Sequence, residues 1–177
     1  SISNNNSSTA LPIEEIIVHN RKHFDRNMSA IIFEEMSIPE PHYNLGINNA
    51  GHGEMTGKMI SAIEQVLLVE KPKWVLVYGD TNSTLSGALA SKKLHIKLAH
   101  VEAGLRSYNI RMPEEQNRLV SDRLSDLLLC PTETAVKNLK EEGIGQSPYG
   151  ERVINVGDVM YDAALFYSKR AKTRSNI

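Results

Sequence analysis

Two carboxylates in this chain stand soon after apolar segments of the kind that form buried strands. Asp80 follows the run from Trp74 to Tyr78, and Glu102 follows the run from Ile96 to Val101. Ligands of an open parallel sheet bind beyond the carboxyl ends of its strands. A further acid, Glu114, comes shortly afterwards. Three acids that reach one edge of a sheet predict proton-transfer chemistry, in which one carboxyl group removes a proton and another supplies one.

Each of these acids taken alone also has a structural explanation, because Asp and Glu at strand ends cap helices or accept hydrogen bonds from turn amides. A glycine accompanies both strand-end acids: Gly79 precedes Asp80, and Gly104 follows Glu102. The repetition of this arrangement in two consecutive units favours a functional site over two independent caps.

The segments around these acids alternate between strand and helix patterns, which is typical of βαβ units. The sequence therefore predicts an α/β fold, a Rossmann-like parallel sheet sandwiched by helices. The apolar run from Trp74 to Tyr78 predicts a strand buried on both faces. The predicted strands are 13–19, 43–47, 74–78, 96–101, 126–130 and 152–156. The predicted helices are 27–36, one that follows a loop at 51–57 and ends before Pro72, 82–94, 114–124, 132–142 and 158–171.

Composition narrows the classes of function. The net charge is −1, so the chain lacks the basic excess of proteins that bind nucleic acid or anionic membranes. No apolar run approaches the roughly 20 residues that span a bilayer, and no signal-peptide pattern is present. The single cysteine, Cys130, lies in an apolar run and is expected to be buried and inert. These features predict a cytoplasmic protein.

Motifs for cofactors and metals are missing from the sequence. There is no dinucleotide-binding G-x-G-x-x-G after a strand, no Walker loop and no zinc-type spacing of Cys and His, so we expect no cofactor and no metal. Residues 1–12 are polar and low in complexity, which is typical of a tag remnant or a disordered arm. Residues 13–177 are expected to form one Rossmann-like domain.

Five motifs occur together in the order YGDTNST, HVEAGLRS, MPEEQNR, CPTETAVKNL and VGDVMYDA. With this order and spacing, the chain resembles the non-hydrolysing UDP-N-acetylglucosamine 2-epimerase family over roughly 13–171. The form of the motifs is similar to the branch that also includes UDP-2,3-diacetamido-glucuronate 2-epimerases. The resemblance implies a GT-B-type fold of two Rossmann-like domains with the active site between them, of which this chain matches the N-terminal half.

The resemblance implies a reaction that inverts C2 of a UDP-sugar. UDP is eliminated to leave a 2-acetamidoglucal, and it adds again after protonation of the opposite face. Asp80, Glu102 and Glu114 carry over as the acid/base set of this half, without assignment to a face of the sugar. Glu114 is preferred to Glu115 because the family's acid is the first of the pair. Glu115 is expected to be a first-turn acid that suits the helix dipole.

Four further residues are candidates for substrate binding. Arg118 lies four residues after Glu114, so it orients that carboxylate, stabilises developing charge or forms a plain surface ion pair. Arg106 is expected either to meet phosphate or a sugar carboxylate or to lie exposed in its loop. His52 stands in a glycine-rich turn. His23 ends the segment HNRKH, which replaces the family's His-Thr-Gly-Gln-His near the sugar nucleotide.

Two parts of the family pattern have no counterpart in this sequence. The polar arm stands where the family has a Gly-Thr-Arg-Pro-Glu turn and a nearby lysine. The family's second domain, which carries its catalytic histidine, is not matched. The last histidine here, His100, is expected to be buried and hydrogen-bonded on its strand. An acidic cleft without cationic partners repels a diphosphate, so we expect the chain alone to be inactive or nearly so.

The expected partners are a UDP-sugar substrate and a second copy of the chain, since the family implies homodimers formed through this domain. It also implies a supply of mannosamine-type sugars for surface polysaccharide. One alternative is a UDP-2,3-diacetamido-glucuronate epimerase, which Arg106 or Arg111 would favour by pairing with a C6 carboxylate. A second is a degenerate or split-gene domain that binds a partner chain or nucleotide. A third is a hydrolysing epimerase that releases free N-acetylmannosamine.

Overall fold

The computed structural model describes residues 13–20, 38–47, 51–146, 148 and 150–174. Residues 172–174 are described by their backbone only. The described residues up to 47 belong to one compact unit, and those from 51 onward belong to another. The predicted arm at 1–12, the predicted helix at 27–36 and the candidate His23 lie outside the described residues.

The first unit contains two short parallel strands, β1 (Val18–His19) and β2 (Tyr43–Asn44). Both are shorter than the predicted strands at 13–19 and 43–47. On both sides of this pair, backbone amides bond side chains and not the neighbouring strand. The Ile17 amide donates to His42 Nδ1 at 3.0 Å, and the Gly46 amide donates to Asn44 Oδ1 at 3.1 Å. These hydrogen bonds compete with the strand pairing and keep it short.

The second unit is a four-stranded parallel sheet with helices between its strands, as the alternating pattern predicts. The strand order is β3, β4, β5, β6, and every neighbouring pair is parallel. The strands are β3 (Trp74–Tyr78), β4 (Lys97–Val101), β5 (Leu127–Cys130) and β6 (Arg152–Asn155). The helices are α1 (His52–Glu70), α2 (Asn82–Lys93), α3 (Pro113–Leu124), α4 (Glu133–Glu141) and α5 (Val159–Arg174).

Most element boundaries follow from the local signals in the sequence. Pro113 opens α3, and the Thr132 hydroxyl accepts a hydrogen bond from the Ala135 amide to cap α4. The predicted loop at 51–57 is wrong, since α1 is helical from His52 onward despite its two early glycines. None of the described helices combines the length and the apolar composition that a membrane span needs.

The core of the second unit lies on both sides of β4 and β5. One cluster joins α2 to the sheet, and a second joins α4 to β5. Gly87 permits the first contact, because a Cβ there would lie 2.8 Å from Val77 Cγ1. Cys130 is fully buried in the second cluster, and this burial raises the pKa of its thiol to about 12. The predicted burial of Cys130 is therefore confirmed, and a thiol with a raised pKa is a weak nucleophile.

The prediction that β3 is buried on both faces is wrong. β3 is an outer strand of the four-stranded sheet, and only Val77 of its five residues is buried. Trp74, Leu76 and Tyr78 on the opposite face keep 45%, 37% and 58% of their surfaces exposed. An apolar run cannot tell an inner strand from an outer one, because both need β-forming side chains.

Candidate active site

The two strand-end acids meet at the carboxyl edge of the four-stranded sheet. β3 and β4 are paired with Tyr78 opposite Val101, and the Gly79 amide donates to the Val101 carbonyl at 3.1 Å. Asp80 and Glu102 therefore both come soon after the last paired residues of β3 and β4. A Cβ added at Gly79 would lie 3.8 Å from Glu102 Oε2, so the Glu102 carboxyl group lies against the turn that carries Asp80.

Arg118 joins this pair from α3. Its guanidinium donates a hydrogen bond to Asp80 Oδ2 and lies 3.8 Å from Glu115 Oε2. The Arg118 side chain is only 11% exposed, and among the described residues its Nε has no hydrogen-bond partner. The i, i+4 relation to Glu114 predicted a different ion pair. The tertiary contact with Asp80 takes precedence because both groups are partly withdrawn from water, where the attraction between charges is stronger.

The backbone of Asp80 is fixed by a residue that sequence reasoning missed. Asn117 donates from Nδ2 to the Asp80 carbonyl at 2.9 Å and to Asn82 Oδ1 at 3.2 Å. Asn117 is buried and stands one residue before Arg118, so one turn of α3 holds both the backbone and the carboxylate of Asp80. Its place in the motif MPEEQNR is the signal that would have found it.

Glu102 has the electrostatic environment of a proton carrier. Burial raises the pKa of its carboxyl group above the ordinary value, Arg118 and His100 lower it in part, and the negative charges of Asp80 and Asp158 raise it further. The backbone at Glu102 has φ 71°, the left-handed region that L residues seldom adopt. Asp158, which follows β6, is a fourth acid that acts on Glu102. Residues that follow parallel strands lie at the carboxyl edge of the sheet, so the sequence could have predicted Asp158 there as it predicted Asp80 and Glu102.

Replacing Glu102 with Gln should change the pH dependence of stability. The folded pKa of Glu102 lies above the unfolded value of 4.5, so unfolding releases a proton between the two values and wild-type stability falls as pH rises through that window. The variant lacks this loss. Its melting temperature relative to wild type should therefore increase from acidic to neutral pH. Equal differences at both ends of the range would contradict the raised pKa. Glu54→Gln, on the exposed surface of α1, is the control.

Glu114 and Glu115, adjacent in the first turn of α3, have different environments. Glu114 is exposed, whereas Glu115 is 3% exposed. Glu115 accepts hydrogen bonds from the Ser107 amide and hydroxyl, both at 2.9 Å, and from the Tyr108 amide at 3.2 Å. Burial alone would raise the pKa of Glu115, but these hydrogen bonds lower it below the ordinary value. Glu115 anchors the loop after Glu102, a role beyond the dipole contact expected from sequence.

Replacing Glu115 with Gln should destabilise the fold by about 1–3 kcal/mol, because the amide turns an acceptor into a donor that faces other donors. Since the folded pKa is lowered, the carboxylate stabilises the fold above the unfolded value of 4.5 and loses this effect as pH falls through the folded value. The difference in urea midpoint should therefore shrink in acid. Glu114→Gln, one residue away and exposed, should shift the midpoint far less; equal shifts would contradict the anchoring role.

Arg106 lies inside the protein, and the alternative of an exposed loop arginine is wrong. Its side chain is 1% exposed and donates to Asp122 Oδ2 at 2.7 Å and to both carboxylate oxygens of Glu142 at 2.6 and 2.7 Å. Burial alone would lower the pKa of Arg106, but these two acids raise it above the ordinary value. The geometry gives Arg106 a structural role and no support as a substrate ligand.

The structure also places the remaining candidates. His100 is buried and hydrogen-bonded as predicted, with no exposed side-chain surface. His52 is exposed at the first residue of α1, and none of its described contacts reaches Asp80 or Glu102. Among the described residues, no three His, Cys, Asp or Glu side chains are grouped closely enough to hold a metal ion.

Comparison with known proteins gives the context of this geometry. The family profile described as UDP-N-acetylglucosamine 2-epimerase matches residues 6–177. The UDP-2,3-diacetamido-2,3-dideoxy-D-glucuronate 2-epimerase of Pseudomonas aeruginosa is 58% identical over 159 residues, which are 90% of this chain and 44% of that protein. The UDP-N-acetylglucosamine 2-epimerase of Methanocaldococcus jannaschii is 48% identical over 161 residues, 91% of this chain and 43% of that protein.

A solved structure shows the same fold. The crystal structure of the Methanocaldococcus jannaschii enzyme in complex with UDP-GlcNAc and UDP superposes with a TM-score of 0.81 and 49% identity, over 87% of this chain and 41% of that one. This chain thus spans less than half the length of the relatives it matches, and its fold is one half of their GT-B-type architecture. The chain belongs to the UDP-N-acetylglucosamine 2-epimerase family.

Proposed function

We propose that this chain is the N-terminal catalytic half of a non-hydrolysing UDP-N-acetylglucosamine 2-epimerase, with residues 13–177 as its domain. The observation that carries the proposal is the juxtaposition of Asp80 and Glu102 at the carboxyl edge of the sheet, with the pKa of Glu102 raised. In many enzymes, two carboxyl groups in different electrostatic environments serve as the acid and the base at neutral pH.

The proposed reaction has two steps, an elimination of UDP and its re-addition. A carboxylate takes the proton from C2 while the C1–O bond to UDP breaks, which leaves a C1=C2 double bond. A carboxylic acid then gives a proton to the opposite face of C2 while an oxygen of UDP bonds C1 again. Glu102 suits the acid role because its pKa is raised, and Asp80, paired with Arg118, supplies a carboxylate. Glu114, exposed on α3, is the third member of the set.

Arg118 acts on Asp80 in this proposal. It holds Asp80 Oδ2 from a side chain that is almost fully buried, so it positions that carboxylate and lowers the charge density of the acidic edge. This contact replaces the Glu114 partnership expected from helix spacing. His52 and His23 are kept as candidate substrate contacts on the strength of the family resemblance alone.

A second candidate substrate is UDP-2,3-diacetamido-2,3-dideoxy-glucuronate. The relative with that activity in its name is 58% identical to this chain. A uronate needs a cation for its C6 carboxylate. Of the two arginines considered for this contact, Arg106 is buried against Asp122 and Glu142, whereas Arg111 is exposed in the loop before α3. Arg111 is therefore the residue to test for discrimination between the two sugars.

Proton NMR in D2O tests the proposed function. UDP-N-acetylglucosamine is incubated with this chain alone and with a fused protein, in which the chain is joined to the C-terminal part of the Pseudomonas aeruginosa relative. We expect deuterium at C2 and the manno epimer from the fused protein, and almost none from the chain alone, because the described acidic edge has Arg118 as its nearest cation and Asp80 already engages it.

Each outcome of this measurement separates the alternatives. Free N-acetylmannosamine would identify a hydrolysing epimerase. Turnover only with the diacetamido-glucuronate nucleotide would identify the second substrate. A folded fused protein that binds UDP without C2 exchange on either sugar would support the degenerate, non-catalytic domain and overturn the proposal.

The proposal extends to assembly and location. We propose a cytoplasmic homodimer that supplies mannosamine-type sugars for surface polysaccharide. Support for association comes from α5, where five large apolar side chains are exposed: Val159, Met160, Tyr161, Leu165 and Phe166. Light scattering of this chain should give the mass of a dimer, and a clean monomer at high concentration would count against this part of the proposal.

A further inference from the structure

His100 is a fully buried histidine whose two ring nitrogens both face acceptors. Nε2 lies 2.7 Å from the Gly79 carbonyl oxygen, and Nδ1 lies 2.7 Å from Asp122 Oδ1. A carbonyl oxygen only accepts, so Nε2 carries a proton. A neutral imidazole would then leave Nδ1 as an acceptor facing a carboxylate oxygen, two lone pairs at hydrogen-bonding distance. Either the ring is doubly protonated or Asp122 carries the proton.

The other partners of Asp122 decide between these two states. Asp122 Oδ2 accepts from the Arg106 guanidinium at 2.7 Å and from the Gly104 amide at 3.1 Å. A carboxylate that receives three donors, one of them a guanidinium, is stabilised in its ionised form. Arg106 is also held by Glu142. With a protonated ring, the network contains two cations and two anions, a balance that a buried cluster needs.

The same hydrogen bonds link the two acidic turns. Gly79 stands immediately before Asp80, and Gly104 stands two residues after Glu102. We propose that His100 is a buried imidazolium that, with Asp122, ties the turn of Asp80 to the turn of Glu102 and places a fixed positive charge beneath them. His100 is thus a positioning residue, and its effect on the reaction depends on the proposed function, in which Asp80 and Glu102 are catalytic.

The charge of His100 acts on the acid that carries the proton. It is among the groups that lower the pKa of Glu102, in opposition to burial and to Asp80 and Asp158. Several elements supply the charged groups linked to the ring. Asp122 on α3 bonds the ring, Arg106 after β4 bonds Asp122, and Glu142 after α4 bonds Arg106. Glu102 after β4 is coupled to the ring electrostatically, and the Cys130 thiol on β5 is coupled to Asp122. The imidazolium therefore adds to the larger effect of Arg118 in lowering the pKa of Glu102.

Nitrogen-15 NMR of the labelled 177-residue chain tests the inference without any need for turnover. In wild type at about pH 7, both ring nitrogens of His100 should show the shifts of protonated nitrogens. An unprotonated Nδ1 at this pH would overturn the proposal. The exposed His52 supplies reference shifts in the same spectra.

Asp122→Asn is the matched variant, because the amide has the shape of the carboxylate. Its oxygen can face Arg106 and Gly104 while its N–H donates to Nδ1, so His100 should become neutral and Nδ1 should take the shift of an unprotonated nitrogen. The carboxyl titration of Glu102, followed by carbon-13 NMR, should move to higher pH. The carboxyl signal of Glu54, exposed on α1, serves as the internal reference.

A second variant tests the effect of the His100 charge on Glu102 if Asp122→Asn does not fold. His100→Gln retains a donor for the Gly79 carbonyl and removes the charge, and it should raise the Glu102 titration in the same way. A Glu102 titration that stays in place when the charge at His100 is removed, by either variant, would overturn the coupling. Because these signals do not depend on epimerisation, they stand or fall separately from the C2 exchange assay.

Discussion

Replacing Gly104 with alanine should lower the free energy of unfolding by about 2–5 kcal/mol, a large share of the stability of a small domain. Gly104 has φ +81°, and a Cβ built on it would lie 2.4 Å from the Ala135 carbonyl oxygen and 3.0 Å from Leu139 Cγ. The contact with Ala135 is to backbone in the first turn of α4, so a change of side-chain rotamer cannot relieve it. Both the left-handed conformation and the overlap contribute to the loss.

Gly143→Ala is the control that separates these two contributions. Gly143 has φ +74°, and nothing lies within 4 Å of a Cβ built there. It should cost only the conformational part, about 1–2 kcal/mol. Urea unfolding followed by circular dichroism measures both variants. Equal losses would mean that α4 shifts freely and that the close approach at Gly104 is not a constraint.

The Gly104 contact also reaches the candidate site. The Gly104 amide donates to Asp122, and the Gly104 carbonyl accepts from Asn138 Nδ2 at 2.9 Å. A displaced turn would therefore disturb the network under Glu102. Fold stability and site geometry depend on the same few atoms here, which is why the motif HVEAGLRS combines small residues with charged ones.

The parallel sheet and the meeting of Asp80 with Glu102 were predictable from the sequence for one physical reason. Apolar segments that alternate with helices must form parallel strands, and the carboxyl ends of neighbouring parallel strands share an edge. The buried states of Cys130 and His100 followed from their places within apolar runs. These predictions used only periodicity and chain order, which the sequence contains in full.

The predictions that failed needed tertiary information. Arg106 is buried because Asp122 and Glu142, which are 16 and 36 residues away in sequence, enclose it. Arg118 pairs with Asp80, 38 residues away, although helix spacing favoured Glu114. Spacing along one helix identifies neighbours on that helix only, and a stronger partner on another element is invisible to it.

Asp80→Asn should reduce C2 exchange by the fused protein about 100- to 10,000-fold, the usual loss when a positioned acid or base is removed. The amide keeps the size of the carboxylate, and Asn117 still holds the Asp80 backbone. The substrate should therefore bind with a similar KM while kcat falls. Arg118 stays in place when its anionic partner is removed, so the edge keeps its cation and KM should not rise.

Deuterium incorporation at C2 under saturating UDP-N-acetylglucosamine measures the effect of Asp80→Asn. Glu141→Gln is the matched control, because Glu141 is an exposed helix carboxylate that pairs with Lys137 on α4. It should leave the rate unchanged, which excludes a general effect of removing one negative charge. An Asp80→Asn protein that exchanges at the wild-type rate would show that Asp80 only shapes its turn, and the acid/base work would then rest on Glu102 and Glu114. A fall in kcat without a change in KM would instead place Asp80 at the reacting proton, because an interaction lost only in the transition state lowers kcat and kcat/KM together.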